Sequence, residues 1–347
     1  MMSPRGVRGD IIYAAKTREP RKPYILIALV LVLVFFSLVH MCAGARMVPL
    51  HSIWESLFRF DQYDFEHQII VSIRAPRMLA ALLSGAALGL AGAALQAITK
   101  NPLVGPGITG MTSGGAMFVV LASLYISAPV IDMFLPYLAA LGAFSAFLLV
   151  LLISGFGRSK KSTEKVVVVG IMVSAFFSAV TTVILLINQK TFDVLRLWLA
   201  GNLAGKSMND IEIAFAQIVI GSTILVIFIR QIDTLMLGQN TAKALGVSIK
   251  FCFFVVLMSS AFLVSGSIIC AGPVAFIGLI APNLAKLIDT SRSQWVFPLS
   301  AVIGSILLVG CDIVARLIIS PIEIATGLVV GCIGSLFFLL LIKVYCK

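Results

Sequence analysis

The feature that most constrains this chain is a series of apolar stretches, each long enough to cross a bilayer. A helix needs about 20 predominantly apolar residues to span the roughly 30 Å hydrocarbon core of a membrane. Only 12% of the residues are charged and 60% are hydrophobic, whereas a soluble domain carries about 25% charged residues. The sequence therefore predicts an all-α polytopic membrane protein with about ten transmembrane helices. The predicted spans are 24–44, 78–98, 103–125, 132–156, 166–188, 209–230, 251–269, 273–289, 296–313 and 324–343.

Positive charge is distributed unevenly between the two sides that these spans define. Most of the 26 lysines and arginines fall on the side of the N-terminal segment, and cytoplasmic loops carry an excess of these residues. We therefore expect both termini to be cytoplasmic, with 1–23 as a basic tail and 24–347 as the transmembrane domain. Topology accounts for the net charge of +11, so we expect no nucleic-acid partner.

No group of residues in the sequence is typical of a catalytic or metal site. The three histidines, His40, His51 and His67, lack the spacing of a zinc motif. The segment "GNLAGKS" (201–207) has too few residues between its glycines to be a phosphate loop. We expect no catalytic residues, no metal site and no cofactor in this chain, so that a partner binds any ATP and Mg²⁺. Acidic residues near the bilayer centre, which an ion-coupled transporter usually has, are scarce, and this disfavours a secondary transporter.

The stretch 85–107 combines a thin helix with a sharp break. Gly85, Gly89 and Gly92 fall on one helix stripe, where small residues let helix backbones approach closely. The following "NPLVGPG" interrupts the helix within apolar sequence, and irregular backbone at membrane depth must be buried in protein or line a cavity. A similar pattern, "AGPVAFIGLIAPNL", occurs at 271–284. Repeated broken helices are typical of a translocation path.

The segment 231–250 between two spans shows helical spacing of its apolar residues. The spacing predicts one short amphipathic helix ending near Gly246, a natural C-cap. Such a helix can lie on the membrane surface or bind a partner. Its apolar positions are Leu235, Leu237, Ala242, Leu245 and Val247.

Four ordered blocks carry a resemblance to a known family. They are "RAPRMLAALLSGAALGLAGAALQAITKNPLVGPGITGMTSGG" (74–115), "LGQNTAKALGV" (237–247), "AGPVAFIGLIAPNLAKL" (271–287) and "DIVARLIISPIEIATGLVVGCIGSLFF" (312–338). With these blocks the chain resembles the permease subunits of type II ABC importers for ferric siderophores, haem and cobalamin (FecCD-like). The resemblance implies the type II importer permease fold, a multi-pass location in the bacterial inner membrane, and transport without enzymatic activity in this chain.

The resemblance also implies three functional groups of residues. The binding-protein docking residues are Arg74, Arg77 and Arg316. The cytoplasmic gate residues are Asn101, Leu103 and Thr163. The ATPase coupling residues are Leu237, Gly238, Ala242, Leu245 and Gly246. Other interpretations of the arginines are interfacial snorkelling and, for Arg316, a helical pair with Asp312.

Partners and cargo follow from the same resemblance. It implies a second permease half, either a homodimer or a paralogous heterodimer, two ATP-binding subunits, an extracytoplasmic substrate-binding protein and membrane lipid. A ferric siderophore is the expected cargo. Haem or cobalamin import, and an ion-coupled secondary transporter of another class, are the alternatives.

Overall fold

The computed structural model describes residues 22–44, 47–126, 128–154, 162–288, 292–319 and 322–345, and every regular element in these ranges is helical. A π-helical turn, Ile70–Arg74, joins the α-helices Phe65–Ile69 and Ala75–Thr99. The α-helices are α1 (Lys22–Cys42), α2 (Leu50–Phe58), α3 (Phe65–Ile69), α4 (Ala75–Thr99), α5 (Met111–Ala122), α6 (Ala128–Ile153), α7 (Ser162–Ile187), α8 (Gln189–Leu199), α9 (Met208–Ile227), α10 (Ile229–Met236), α11 (Gln239–Ala244), α12 (Ile249–Ala271), α13 (Ile277–Ile288), α14 (Ser293–Leu317) and α15 (Thr326–Tyr345).

The predicted all-α membrane fold is confirmed. Among the described residues, 6 helical stretches are long and apolar enough to cross a membrane: Pro23–Cys42, Phe65–Thr99, Lys165–Ile187, Met208–Ile227, Ile249–Ala271 and Ser293–Leu317. Shorter apolar helices occupy the remaining predicted spans, at Met111–Ala122, Tyr137–Ile153, Ile277–Ile288 and Thr326–Leu340. Residues 1–21 of the predicted basic tail lie outside the described residues.

Two of the predicted spans begin later as helices than the sequence suggested. The span predicted at 103–125 starts as irregular chain and becomes helical only at α5, and the span predicted at 273–289 becomes helical only at α13. Each helix follows a segment containing glycine and proline, with Pro102 and Pro106 before α5 and Pro273 before α13. Proline lacks a backbone N–H and restricts the conformation of the preceding residue, so it interrupts a helix. The predicted spans were too long because they were drawn from runs of apolar residues, which continue through these breaks.

Helix α4 lies at the centre of the bundle, packed against α12, α13 and α14. A Cβ added at Gly85 or Gly89 would lie 2.4 or 2.1 Å from a backbone oxygen of α14, and one at Gly92 would lie 1.7 Å from the Gly278 oxygen of α13. These helices can contact one another only because the glycines have no side chain. The glycine stripe therefore serves close helix packing.

The antiparallel helices α4 and α14 separate two ends of the molecule. Each has 25 residues and is about 37 Å long at 1.5 Å per residue. The arginine end contains the N-terminus of α4 and the C-termini of α1 and α14. The α11 end contains α10, α11 and the N-termini of α12 and α14, where the backbone N–H of Ser293 donates to Asp233 Oδ1 at 2.8 Å.

Candidate functional site

The arginine end holds a buried network of charged side chains. Asp312 of α14 has 0% exposure and accepts from Arg77 Nε at 2.8 Å and from Arg77 Nη2 at 3.0 Å. His40 Nε2 lies 2.8 Å from Asp312 Oδ2, and the Thr326 hydroxyl donates to Oδ1. Arg77 also donates from Nη1 to Glu323. A charge buried at this depth persists only when it is paired and hydrogen-bonded, and here Asp312 has several donors.

The other two predicted docking arginines lie beside this network. Arg74 donates to the carbonyl oxygens of Met41 and, at 2.9 Å, Cys42, at the C-terminus of α1. Arg316 donates from Nη1 to the His40 oxygen at 3.1 Å, and its Nε lies 3.7 Å from Glu323 Oε1. These bonds attach the C-terminus of α1 to α4 and α14.

The structure thus brings the three predicted docking arginines together at one end but does not expose them. Arg74, Arg77 and Arg316 are only 4–5% exposed, because each guanidinium binds partners within the protein. Sequence reasoning missed His40 and Glu323 and considered Asp312 only as a helical partner of Arg316, whereas Asp312 is bonded to Arg77. An available signal was that Asp312 falls inside a predicted span, where an ionisable residue needs a partner.

Helices α4 and α5 are joined by the irregular segment 100–110, which the sequence identified as a break. Lys100 ends α4 in a left-handed conformation at φ 52°. Asn101 Oδ1 then accepts the backbone N–H of Leu103 at 2.9 Å, a local turn typical of asparagine. The Asn101 oxygen is therefore bonded to the backbone within this turn, and Asn101 and Leu103 are both half-buried.

Side chains from two helices hold this segment in place. The carbonyl of Pro102 accepts from Gln96 Nε2 at 3.0 Å and from Asn283 Nδ2 at 2.9 Å. Lys286 of α13 donates to Gln96 Oε1 at 2.7 Å. The first break (100–110) is therefore fixed to α13, the helix that follows the second break (272–276). The third predicted gate residue, Thr163, lies in the first turn of α7, and its side chain is outside the described residues.

Two neighbouring clefts lie where the breaks meet. One has a volume of about 410 Å³ and the other of about 350 Å³, and both are lined by Gly107 and Ala275. The larger cleft carries hydroxyl side chains from α5 and α7, and none of its described lining residues is charged. Irregular backbone lining a cavity at membrane depth is the feature expected of a translocation path. The hydroxyl residues are Thr112, Ser113, Ser178, Thr181 and Thr182.

The segment predicted as one amphipathic helix is two helices, α10 and α11, separated at Gly238. Gly238 has φ 128°, and this region of backbone space favours glycine, so a single continuous helix was wrong. Leu235 and Ala242 are buried, whereas Leu237 and Leu245 are 70% and 64% exposed. The two exposed leucines form an apolar surface at the α11 end.

Helix α11 ends as the sequence predicted, at a glycine C-cap. Gly246 has φ 80°, and its N–H donates to the Lys243 oxygen at 3.0 Å. The Val247 N–H donates to the Ala242 oxygen at 2.9 Å. This pair of bonds is the Schellman motif, in which a left-handed glycine follows the helix.

Together these features define a class of protein. A bundle of apolar helices, two interrupted at membrane depth around an uncharged cleft, is a membrane transporter. Among the described residues, no group of three or more His, Cys, Asp or Glu side chains is placed to hold a metal ion.

Comparison with known proteins identifies the family. The model of the FecCD transport family matches residues 29–344. The "Probable siderophore transport system permease protein YfiZ" of Bacillus subtilis is 34% identical over 311 residues, covering 88% of this chain and 92% of the relative. The chain belongs to the FecCD transport family and is a permease of an ABC importer. ATP in such importers is handled by a partner ATPase.

Other relatives and a solved structure agree with this family. The FecD and FecC permease proteins of the Fe(3+) dicitrate transport system of Escherichia coli are each 32% identical to this chain, covering 86% and 79% of it and 95% and 83% of their own lengths. An inward-facing structure of a metal-chelate type ABC transporter superposes with a TM-score of 0.79 at 28% identity, covering 93% of this chain and 99% of that chain. The predicted importer permease fold is confirmed.

Proposed function

We propose that this permease carries a ferric siderophore across the bacterial cytoplasmic membrane, from a binding protein at the arginine end to the cytoplasm at the α11 end. The observation that carries the proposal is the hydroxyl-lined cleft between the two breaks. A ferric siderophore carries amide N–H and hydroxyl O–H groups, to which uncharged hydroxyl oxygens can bind without the strong attraction of a charge. The relative named for siderophore transport supports this cargo.

Two of the hydroxyl groups donate to the backbone of their own helix. Thr181 and Thr182 donate to the carbonyls of Phe177 and Ser178 at 2.8 and 2.9 Å. Their protons are thus used within α7, and their oxygen lone pairs remain to accept N–H or O–H groups of a cargo. Many weak contacts of this kind suit a transport path, because a cargo held by strong contacts leaves slowly.

The proposed topology places both termini in the cytoplasm, with 1–23 as the cytoplasmic tail and 24–347 as the permease domain. The excess of lysine and arginine on the side of the α11 end supports this orientation. The arginine end then faces outward, where a binding protein approaches. Arg74, Arg77 and Arg316 would supply its docking charges, and acidic side chains of the binding protein would be their partners.

At the cytoplasmic side, the proposal assigns coupling to the α11 end and gating to the first break. Leu237 and Leu245 would insert into a groove of an ATP-binding subunit, the helix-in-groove mode of recognition, while Gly238 and Gly246 set the bounds of α11 and Ala242 anchors it. Asn101, Leu103 and Thr163 would form the gate. Each of two permease halves would bind one ATPase subunit.

The second half of the pore is proposed to be a paralogous permease. The Fe(3+) dicitrate system supplies the support, because two of its permease proteins, FecC and FecD, are both similar to this chain. A homodimer remains the other outcome, and the two are distinguished by the polypeptides that copurify with a tagged chain.

The cargo proposal is tested by growth on defined iron sources. A strain lacking this chain is given single iron complexes: a ferric hydroxamate, a ferric tricatecholate, ferric citrate or haem. The proposal expects loss of growth on at least one ferric siderophore and recovery when the chain is restored. Loss confined to haem would assign haem as the cargo, and unchanged growth on every iron complex would contradict the proposal.

A further inference from the structure

The two acids at the arginine end differ in their environment. Asp312 is fully buried and held by several donors, as described above. Glu323 follows α14 in the chain, and its side chain is 37% exposed. It nevertheless contacts two of the arginines, with Oε2 bonded to Arg77 Nη1 and Oε1 lying 3.7 Å from Arg316 Nε. Glu323 is therefore the solvent-accessible acid bound to these buried guanidinium groups.

The backbone around Glu323 is fixed while its side chain can turn. The N–H of Ile322 donates to the Ile319 oxygen at 2.9 Å, and the N–H of Ile324 donates to the Ala315 oxygen at 3.2 Å. Replacing the carboxylate on the arginines thus requires rotation of one side chain and no movement of a helix. Glu323 is partly exposed while the arginines are buried, so water can solvate the Glu323 carboxylate when it turns away.

Arg316 has capacity for a further acceptor. Its side chain is 5% exposed, and within the described part of the chain its Nε has no hydrogen-bond partner, although Nη1 is bonded. A buried N–H without an acceptor is unfavourable. The Glu323 carboxylate at 3.7 Å is too far away for a hydrogen bond, so an incoming carboxylate can satisfy a group that Glu323 leaves unsatisfied.

We propose that Glu323 is a placeholder carboxylate, which covers Arg77 and Arg316 in the free permease and gives way to an acidic side chain of the docking protein. The inference rests on the proposed docking function and adds its regulation. In the free state Glu323 prevents the arginines from binding small anions from solvent. On docking, an acidic side chain of the binding protein placed beside Arg77 and Arg316 displaces it.

The test measures binding of a fluorescein-labelled hexaglutamate peptide to the permease complex in neutral-lipid nanodiscs. Glu323→Gln keeps the shape of the side chain and removes the competing charge. If Glu323 covers the arginines about nine-tenths of the time, its removal strengthens binding roughly tenfold. Glu212→Gln is the matched control, because Glu212 is an exposed acid in the first turns of α9. The N-terminus of α9 also lies at the arginine end. The control variant should leave binding unchanged.

A third variant separates this inference from the docking proposal. Arg316→Gln should weaken hexaglutamate binding if the arginines bind carboxylates. If Arg316→Gln weakens binding while Glu323→Gln binds no better than the wild type, the placeholder role is wrong and docking stands. If neither substitution changes binding, or if neither the wild type nor Glu323→Gln binds the peptide, both proposals are wrong.

Discussion

Substitution of Gly92 by alanine should severely disturb the centre of the bundle. The added Cβ would lie 1.7 Å from the Gly278 oxygen, whereas carbon and oxygen atoms normally approach to about 3.3 Å. Helices α4 and α13 must therefore separate by about 1.5 Å. Overpacking of this kind typically destabilises a fold by about 1–3 kcal/mol. Because the required movement is large, we expect a loss of about 3 kcal/mol here.

Thermal unfolding of the purified protein measures this cost. Cys252, Cys270 and Cys311 are free and buried, so a dye that fluoresces on reaction with thiols reports the exposure of the core. We expect the midpoint to fall by about 4 °C, because a chain of this length has a large entropy of unfolding. Gly331→Ala in α15 is the matched control, because its Cβ would have nothing within 4 Å and alanine favours helix by about 1 kcal/mol. Equal midpoints for the two variants would refute the close contact of α4 and α13.

Three further predictions concern the other sites. Leu245→Asp places a charge on the proposed coupling surface, and Gly246→Val strains a residue at φ 80°. Both variants should reach the membrane at normal levels but lose ATP-driven uptake, whereas the control Leu245→Met should transport normally. Normal uptake by either of the first two variants would show that this segment does not couple to the ATPase. Cysteines placed at Asn101 and Thr163 should react with a membrane-impermeant maleimide from the cytoplasmic side, faster with ATP present, and reaction only from outside would reverse the topology. Asp312→Ala leaves Arg77 with Glu323 as its remaining acid and removes the buried acceptor of two of its N–H groups, which should cost about 3 kcal/mol in the same thiol assay; an unchanged midpoint would show that the buried network does not support the fold.

The sequence predicted the helices and the first break well because both depend on local composition. Apolar runs of membrane length and the prolines at 102 and 106 are visible without any tertiary contact. Gly246 was also predicted as a C-cap, because a glycine after an apolar helical segment has one common conformational use. The bend at Gly238 was missed, since the same spacing of leucines fits one helix or two.

The arrangement of charges at the arginine end could not be predicted in the same way. Arg77 and Asp312 are separated by 235 positions, and their pairing arises only when α4 packs against α14. The resemblance identified the arginines but gave no reason to expect burial. That burial depends on acceptors that only the folded chain supplies: Asp312 and Glu323 for Arg77, and backbone carbonyls of α1 for Arg74 and Arg316.

Uptake by a reconstituted complex tests most directly that this chain is the permease of an ATP-driven importer. Proteoliposomes containing the chain with its copurifying permease and ATPase subunits are loaded with ATP and given the binding protein and radioactive iron bound to the chelator that the growth test identifies. We predict accumulation that requires ATP on the ATPase side and persists after a protonophore abolishes the proton gradient. Accumulation that proceeds without ATP and stops with the protonophore would contradict this function and indicate an ion-coupled transporter.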